Sequence, residues 1–218
     1  MPGKRTRLWR FEHEVGELGF SRIAGVDEAG RGPMAGPIVA GAVVLAYPVR
    51  GLNDSKLLTP EERDRLYDKL MGGPHAIGWS VISSDEIDSI GIQQANYGAM
   101  LKAVLKLDPA PDYLLVDGFR IPGCPLPHLR IIKGDQRSQS IAAASIIAKV
   151  TRDRIMAEFE LQFPGYGFGK HKGYCTPEHF MTLNELGPCP IHRRSFAPVS
   201  GKLETASLFS EYIGEVRQ

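Results

Sequence analysis

Three apolar runs in this chain of 218 residues end in an acidic residue beside glycine, and this recurrence constrains the fold more than any other feature. The runs are "IAGVDEAG", which contains Asp27 and Glu28, "LLVDG", which contains Asp117, and "IIKGD", which ends in Asp135. Short apolar runs bounded by glycine are typical of strands, and sites are built where the strands of a helix-covered sheet end. If these strands are neighbours, we expect the four carboxylates to meet.

Other stretches supply the remaining elements. Two more apolar runs, residues 37–48 and 76–83, predict strands. A helix is expected from Pro60, with Thr59 as its N-cap and Glu62 at the third position of a capping box. Helical spacing recurs over 83–107, and the longest helix is predicted over 138–163, where the small residues of "IAAAS" permit close approach to a sheet. Strands cluster first and then alternate with helices, which predicts an α/β fold with a central mixed sheet flanked by helices.

The chain shows no linker that would separate a second full domain. We expect an N-terminal arm or short helix over 1–20, one domain over 21–198 and a short amphipathic tail over 199–218. A glycine-rich loop followed by a short helix is predicted within "PGYGFGKHKGYCTPEHF".

Composition limits the partners and the compartment. The formal net charge is +1, so nucleic-acid contacts would have to come from local basic clusters. Three widely spaced cysteines indicate a reducing compartment. The chain begins with no secretory signal and has no apolar run of roughly 18 residues, so we expect a cytoplasmic protein with no membrane association.

Crowded carboxylates repel one another, and a divalent cation removes that conflict. Mg²⁺ is held by one or two carboxylates together with waters and substrate phosphates, and two ions about 4 Å apart can assist phosphodiester hydrolysis. In a regular strand Asp27 and Glu28 face opposite sides. Both reach one site only if the strand ends and bends, which Ala29 and Gly30 allow.

Each acid also has a structural alternative. An acid at a strand end is often only a turn former. Asp135 precedes the longest predicted helix and could be its N-cap or an acid of its first turn.

The loop formed by Gly30, Arg31 and Gly32 lacks the Gly-Lys-Ser/Thr of a phosphate-binding P-loop. Its backbone amides could approach a sugar-phosphate chain, with Arg31 nearby. A tight turn without a ligand is the alternative.

Basic residues gather in three short stretches near the C-terminal end. Lys170, Lys172, Arg193 and Arg194 are candidates for phosphate contacts, which set affinity without reading sequence. A solvated charged face is the alternative. Tyr174 follows the lysines and suits stacking on a base or contact with a sugar, although a core tyrosine would fit equally.

Histidines and cysteines are concentrated in the same region: His171, Cys175, His179, Cys189 and His192. A structural zinc site needs such ligands, but prolines at 177, 188 and 190 disturb the usual geometry and no C-x-x-C pair is present. Incidental thiols beside histidines that contact nucleic acid are the favoured interpretation.

Six blocks together resemble the ribonuclease HII family, in family order from about residue 22 to 198. They are "GVDEAGRGPMAGP", "LNDSKLLTPEER", "LLVDG", "IIKGDQRSQSIAAASIIAKVTRDRIM", "HKGYCTPEH" and "GPCPIHRRSF". The resemblance implies a ribonuclease-H-like fold with a helical C-terminal part. It also implies a monomeric endonuclease requiring Mg²⁺ or Mn²⁺ that acts on RNA–DNA hybrids and on ribonucleotide-containing duplex DNA. Incision would occur 5′ to single embedded ribonucleotides, leaving 3′-hydroxyl and 5′-phosphate ends, in ribonucleotide removal and primer processing.

The resemblance also implies roles for particular positions. Asp27, Glu28, Asp117 and Asp135 match the family's catalytic, metal-binding acids. Loop 30–32 matches the loop that senses the ribose at the RNA–DNA junction, and Tyr174 matches the tyrosine that stacks there. Cys175 stands where a small residue is expected, and the tail after Pro198 is short.

Two rival functions differ in what they require. A hybrid-binding protein without catalysis would need the basic clusters and Tyr174 but not four acids. The type 3 ribonuclease H usually has an additional N-terminal substrate-binding domain, and only about 20 residues precede the first strand here, too few for a domain of its own.

Overall fold

A five-stranded sheet forms the centre of the computed structural model, which describes residues 7–53 and 55–201. Its strands are β1 (Ile23–Ala29), β2 (Ile38–Val44), β3 (Ala76–Ile82), β4 (Tyr113–Asp117) and β5 (His128–Ile131). They lie in the order β3-β2-β1-β4-β5. β2 is antiparallel to β1 and β3, whereas β4 is parallel to β1 and β5. The predicted mixed sheet is confirmed.

Helices cover both faces of the sheet. The α-helices of the described residues are α1 (Arg10–Glu17), α2 (Pro60–Met71), α3 (Ser84–Ile90), α4 (Ile92–Val104), α5 (Gln139–Gln162), α6 (Phe168–His171) and α7 (Pro177–Leu186). On one face Val26 of β1 shares a core cluster with Met100 of α4. On the other, Val43 of β2 packs in a cluster with Leu70 of α2 and Ile147 of α5.

Local signals account for where α2, α3 and α4 begin and end. The Thr59 hydroxyl accepts from the Glu62 amide, and the Glu62 carboxylate accepts from the Thr59 amide, so the predicted capping box is confirmed. The helical pattern over 83–107 is divided into two helices at Gly91, whose φ of 80° no continuing helix can accommodate.

The longest helix lies against the sheet at backbone contact distance. A Cβ built on Gly25 of β1 would be 2.0 Å from the backbone carbon of Ser140, and one on Gly41 of β2 would be 2.4 Å from the carbonyl oxygen of Ala144. The close approach predicted from "IAAAS" is therefore confirmed, and it places α5 next to the acidic end of β1.

The segment around Asp135 differs from the prediction. β5 ends at Ile131, and Lys133 adopts a left-handed conformation with φ of 54°, which turns the chain into the 3-10 helix Gly134–Gln136. Ser138 is the N-cap of α5, and its hydroxyl accepts from the Ile141 amide. The strand predicted here is confirmed as β5, but it ends four residues before Asp135 and not near it. The alternative that Asp135 is the N-cap of α5 is wrong.

Beyond α5 the chain is mainly helical. The short helix predicted after the glycine-rich stretch is α7, whereas α6 lies within the stretch that was predicted to be a loop. Residues 197–201 begin a further helical segment. Most of the predicted tail 199–218, and residues 1–6 of the predicted arm, lie outside the described residues. Among the helices that are described, none has both the length and the apolar character required to cross a membrane.

Candidate active site

Asp27 and Asp117 lie side by side at the ends of two parallel strands. Their preceding residues, Val26 of β1 and Val116 of β4, are paired in the sheet. With Glu28, the two aspartates line a cavity of about 430 Å³. Three of the four predicted acids are thus brought together by the pairing of β1 with β4.

Asp27 and Glu28 reach this cavity from opposite faces of β1. Pairing with β2 continues through Ala29, and the chain then turns at Gly30, whose φ is 97°. On the α5 side, the Ser145 hydroxyl interacts with the Asp27 carboxylate and opposes the rise in its pKa. On the other side, Oε1 of Glu28 lies 3.8 Å from Nη1 of Arg31. The expected bend follows the acid pair and leaves both carboxylates at the end of the strand.

Burial and mutual repulsion disfavour the charged forms of these acids. Burial raises the pKa of Asp27 well above its usual range, and the Glu28 and Asp117 carboxylates raise it further. Burial also raises the pKa of Glu28 to about 7, although the Arg31 guanidinium opposes the shift. A bound cation would remove the repulsion that makes this cluster unfavourable.

Asp135 occupies a different position from the other three acids. Oδ1 of Asp117 accepts a hydrogen bond of 2.6 Å from the Gly134 amide, so the turn before α5 is tied to the end of β4. Asp135 is buried in that turn and does not line the cavity. Because it directly follows Gly134, Asp135 is a neighbour of the carboxylate cluster.

The three clustered carboxylates suit a hard divalent cation, which prefers oxygen ligands. Oε2 of Glu28 is buried and has no hydrogen-bond partner within the described part of the chain. Among residues 7–53 and 55–201, no three His, Cys, Asp or Glu side chains already surround one point at ligand spacing. The donor set therefore fits a cation that takes its remaining ligands from water and substrate phosphate.

Several polar residues that the sequence reasoning did not select line the same cavity: Ser55, Lys56, Ser145 and Lys149. The Ser55 and Ser145 hydroxyls are 2.9 Å apart, which links the loop before α2 to the Asp27 partner. The charge of Lys56, like that of Arg31, opposes the rise in the pKa of Glu28 that burial causes. The polar run "NDSK" was the available signal for Ser55 and Lys56, whereas Ser145 lies in an otherwise apolar helical run.

Arg193 is a structural residue of the site and not a phosphate contact. Its side chain is 0% exposed, and its guanidinium donates to the carbonyl oxygens of Gly30, Arg31 and Gly36. The predicted phosphate contact by Arg193 is therefore wrong. Because C=O and N–H point in opposite directions across a trans peptide, these bonds turn the Arg31 and Gly32 amides away from the Arg193 guanidinium.

Arg152 of α5 braces a second segment in the same way. It is buried, and it donates to the carbonyl oxygens of Ala35, Pro37 and Lys172. The two arginines therefore fix loop 30–32 and the turn that precedes Tyr174 against the segment that follows the loop.

Tyr174 lies between two cavities. Its side chain is 41% exposed and lines both the carboxylate cavity and a larger one of about 910 Å³. Lys170 and Lys172 line the larger cavity, and Lys149 lines both. The exposed Arg194 lines neither, and its amide donates to Asp88.

His179 and His192 line neither of these two cavities, whereas His171 lines the larger one. His171, His179 and His192 are all buried, whereas Cys175 is exposed. For His179 and His192 the favoured interpretation as nucleic-acid contacts is therefore wrong, because their rings pack against Phe168 and against neighbouring histidines.

The family model described as ribonuclease HII matches residues 24–199. Ribonuclease HII of Geobacillus kaustophilus is 54% identical over 202 residues, covering 91% of this chain and 77% of the relative. Ribonuclease HII of Chlamydia trachomatis serovar A is 50% identical over 197 residues, covering 89% of this chain and 90% of the relative.

The solved structures similar to this chain are also ribonucleases H. Ribonuclease H2 of Pyrococcus horikoshii matches with a TM-score of 0.72 and 28% identity, covering 85% of this chain and 98% of that protein. Ribonuclease HII of Archaeoglobus fulgidus, solved in complex with PCNA, matches with a TM-score of 0.70 and 26% identity, covering 81% and 95%. A Mn²⁺ complex of Bst-RNase HIII, at 22% identity and a TM-score of 0.62, has a similar fold and covers 85% of this chain and 70% of that protein.

Proposed function

The chain belongs to the ribonuclease HII family, a family of nuclease hydrolases, and on that premise we propose that it incises duplex DNA 5′ to single embedded ribonucleotides in addition to cutting the RNA strand of RNA–DNA hybrids. The products would carry 3′-hydroxyl and 5′-phosphate ends. The proposal rests on one observation: Asp27, Glu28 and Asp117 converge on a cavity that Gly30, Arg31 and Tyr174 also line.

Asp27, Glu28 and Asp117 would hold Mg²⁺ or Mn²⁺, which when bound supplies Lewis acidity and an activated water. Ser145 orients the Asp27 carboxylate through its hydroxyl. The Gly134 amide orients Asp117. Asp135 follows Gly134, whose amide binds Asp117, but it does not line the cavity, so we assign it a secondary part.

Selection for ribose would come from two elements beside the carboxylates. Arg193 fixes the carbonyl groups of Gly30 and Arg31, so that the next two amides are available to a 2′-hydroxyl or a phosphate. Tyr174 would stack where RNA meets DNA. Because only the 2′-hydroxyl distinguishes RNA from DNA locally, these are the groups on which substrate choice would depend.

Lysines around Tyr174 would hold the sugar-phosphate backbone. Lys149, Lys170 and Lys172 line the cavity that continues past Tyr174, and Lys56 and Lys149 border the carboxylate cavity. Such contacts supply affinity without sequence preference. We further propose that 21–198 is the catalytic unit and that the protein acts as a monomer in the cytoplasm on replication primers and misincorporated ribonucleotides.

The proposal is tested with a labelled DNA duplex that carries one ribonucleotide, incubated with Mg²⁺, Mn²⁺ or a chelator, and with the cut mapped to the nucleotide. We expect metal-dependent incision 5′ to the ribonucleotide and none in an all-DNA duplex. Cleavage of a continuous hybrid without incision at the single ribonucleotide would indicate type 3 behaviour. Binding without cleavage of either substrate would indicate a hybrid-binding protein.

A further inference from the structure

Three buried histidines surround the backbone that carries Tyr174. His171 ends α6, His179 lies in the first turn of α7, and His192 follows Cys189 beyond α7. The rings of His171 and His179 stack with centroids 4.2 Å apart, and those of His179 and His192 are 5.2 Å apart. The proposed chemistry uses none of these imidazoles.

Hydrogen bonds join two of the rings into a chain. The Cys189 amide donates to Nδ1 of His192 at 3.0 Å. Nε2 of His192 lies 3.1 Å from Nε2 of His179, and Nδ1 of His179 lies 2.9 Å from the carbonyl oxygen of Tyr174. The chain therefore begins at a backbone donor and ends at a backbone acceptor.

The contacts at the two ends of the chain indicate where the protons lie. The Cys189 amide, which can only donate, lies 3.0 Å from Nδ1 of His192, and the Cys189 carbonyl oxygen lies farther from the same nitrogen, at 3.3 Å. The shorter contact makes Nδ1 the acceptor and leaves the proton of His192 on Nε2. A carbonyl oxygen can only accept, so His179 carries its proton on Nδ1 and accepts at Nε2. Both arguments require that His192 donates to His179, so every group is satisfied with two neutral rings.

The surroundings favour this neutral arrangement. Burial lowers the pKa of His179 to about 4 and that of His192 to about 4. The neighbouring groups include the His171 ring, which accepts from the Gly173 amide, and the Cys189 sulfur 3.1 Å from Nδ1 of His192. The chain is thus intact throughout the neutral pH range.

We propose that His179 and His192 are positioning residues for Tyr174, and that through its backbone they set the efficiency of incision at a single ribonucleotide. The inference rests on the proposed function, in which Tyr174 stacks at the RNA–DNA junction. The carbonyl oxygen of Tyr174 accepts from the His179 ring and from the Thr176 amide. The amide of Tyr174 donates to the backbone carbonyl oxygen of His171. The side chain therefore projects from a backbone held on both sides of its Cα.

A matched pair of variants isolates the hydrogen bond from the loss of ring volume. Asn and Leu have similar shapes, and Asn alone can donate to the Tyr174 carbonyl from the position of Nδ1. We expect single-turnover incision at a single ribonucleotide to be about tenfold slower for His179→Leu than for His179→Asn. A tenfold change corresponds to the loss of one hydrogen bond to the Tyr174 carbonyl oxygen, which keeps its other bond, from the Thr176 amide. On a continuous hybrid, which has no junction at the cut, the two variants should differ by less than about twofold.

The same pair in a Tyr174→Ala background shows whether the effect passes through Tyr174. We expect the difference between Asn and Leu at position 179 to disappear there, because coupled residues are not additive. A difference that persists without the tyrosine ring would overturn the proposal. If His179→Leu does not fold, as judged by urea unfolding, His192→Gln and His192→Met form a second pair, since Gln retains a donor at the position of Nε2.

Nitrogen-15 spectra of the wild-type imidazoles provide a readout without catalysis. We expect the Nδ1–H tautomer for His179 and the Nε2–H tautomer for His192; the reverse assignment would contradict the chain. Equal rates for the Asn and Leu variants in an active enzyme would overturn this inference alone. A wild-type protein that cuts neither substrate with Mg²⁺ or Mn²⁺ would overturn the proposed function and the inference together.

Discussion

Asp27 and Asp117 extend from adjacent parallel strands, one residue beyond the paired Val26 and Val116. Their separation along the chain is large, so the sheet topology alone brings the two carboxylates together. Asp135 follows the next strand along the sheet, in a 3-10 turn that the left-handed residue Lys133 introduces. The pairing of β1 with β4 is therefore the structural basis of the site.

Arg193 and Arg194 are expected to respond differently to truncation although they are adjacent. Arg193→Ala would leave two buried carbonyl groups and one half-buried carbonyl group without their donor, and we expect the free energy of unfolding to fall by about 3 kcal/mol or more. Arg194→Ala is the matched control at an exposed position, with a change within about 0.5 kcal/mol. Urea unfolding measures both; similar values would show that Arg193 does not brace loop 30–32.

Gly25 is expected to tolerate no side chain. A Cβ there would overlap the backbone of Ser140, so Gly25→Ala must displace α5 from the sheet and should destabilise the protein by about 3 kcal/mol or more. Gly98→Ala is the control, because its Cβ would meet nothing within 4 Å and lies in a helix. That change should stabilise by about 0.5 kcal/mol. Thermal unfolding tests both, and a stable Gly25→Ala protein would refute the backbone contact.

Histidine burial should make stability fall at acidic pH. The pKa values of His179 and His192 are lowered to about 4 in the folded protein, so between about pH 6.5 and 4 the unfolded state binds more protons. Their contribution to stability is present above that window and is lost as the pH falls through it. The raised pKa values of Asp27 and Glu28 give the opposite trend.

Comparison with His192→Gln separates these contributions, because the acids are common to both proteins. We expect the stability difference between the wild type and this variant to shrink as the pH is lowered from 7 to 5. A difference that stays constant over that range would mean that His192 is not held neutral.

Ser145 is expected to matter more for metal binding than its partner Ser55. Ser145→Ala removes the hydroxyl that interacts with Asp27, and orienting groups of this kind typically change metal affinity by about 10-fold or more. Ser55→Ala removes only the link between the two hydroxyls and should have a smaller effect. Calorimetric titration with Mn²⁺ compares them, and equal affinities would remove Ser145 from the site.

The acids and the sheet could be predicted because their signals are local. Apolar runs that end in acids identified β1 and β4, and "IAAAS" indicated a helix close to the sheet. The division at Gly91 and the short extent of β5 were not predicted, because the conformations of Gly91 and Lys133 depend on what the following segment packs against.

The roles of Arg193 and the histidines could not be predicted from their residue types. Arginine on a charged stretch usually indicates solvent or phosphate, and only the fold shows that the Arg193 guanidinium meets three backbone carbonyls. The histidines resembled ligands or surface contacts in sequence. Their mutual hydrogen bonds depend on α7 and the segment after it being packed together.

Single-turnover cleavage of the one-ribonucleotide duplex by Asp27→Asn with Mn²⁺ tests most directly whether Asp27 belongs to a metal-binding carboxylate cluster. The control is Asp112→Asn, which alters a carboxylate bound to the Ser21 and Arg22 amides. If Asp27 acts with Glu28 and Asp117 in one metal-binding cluster, the Asp27 variant should bind the duplex but cut it about 1,000-fold more slowly, and the Asp112 variant should match the wild type. Turnover by Asp27→Asn at the wild-type rate would contradict the account.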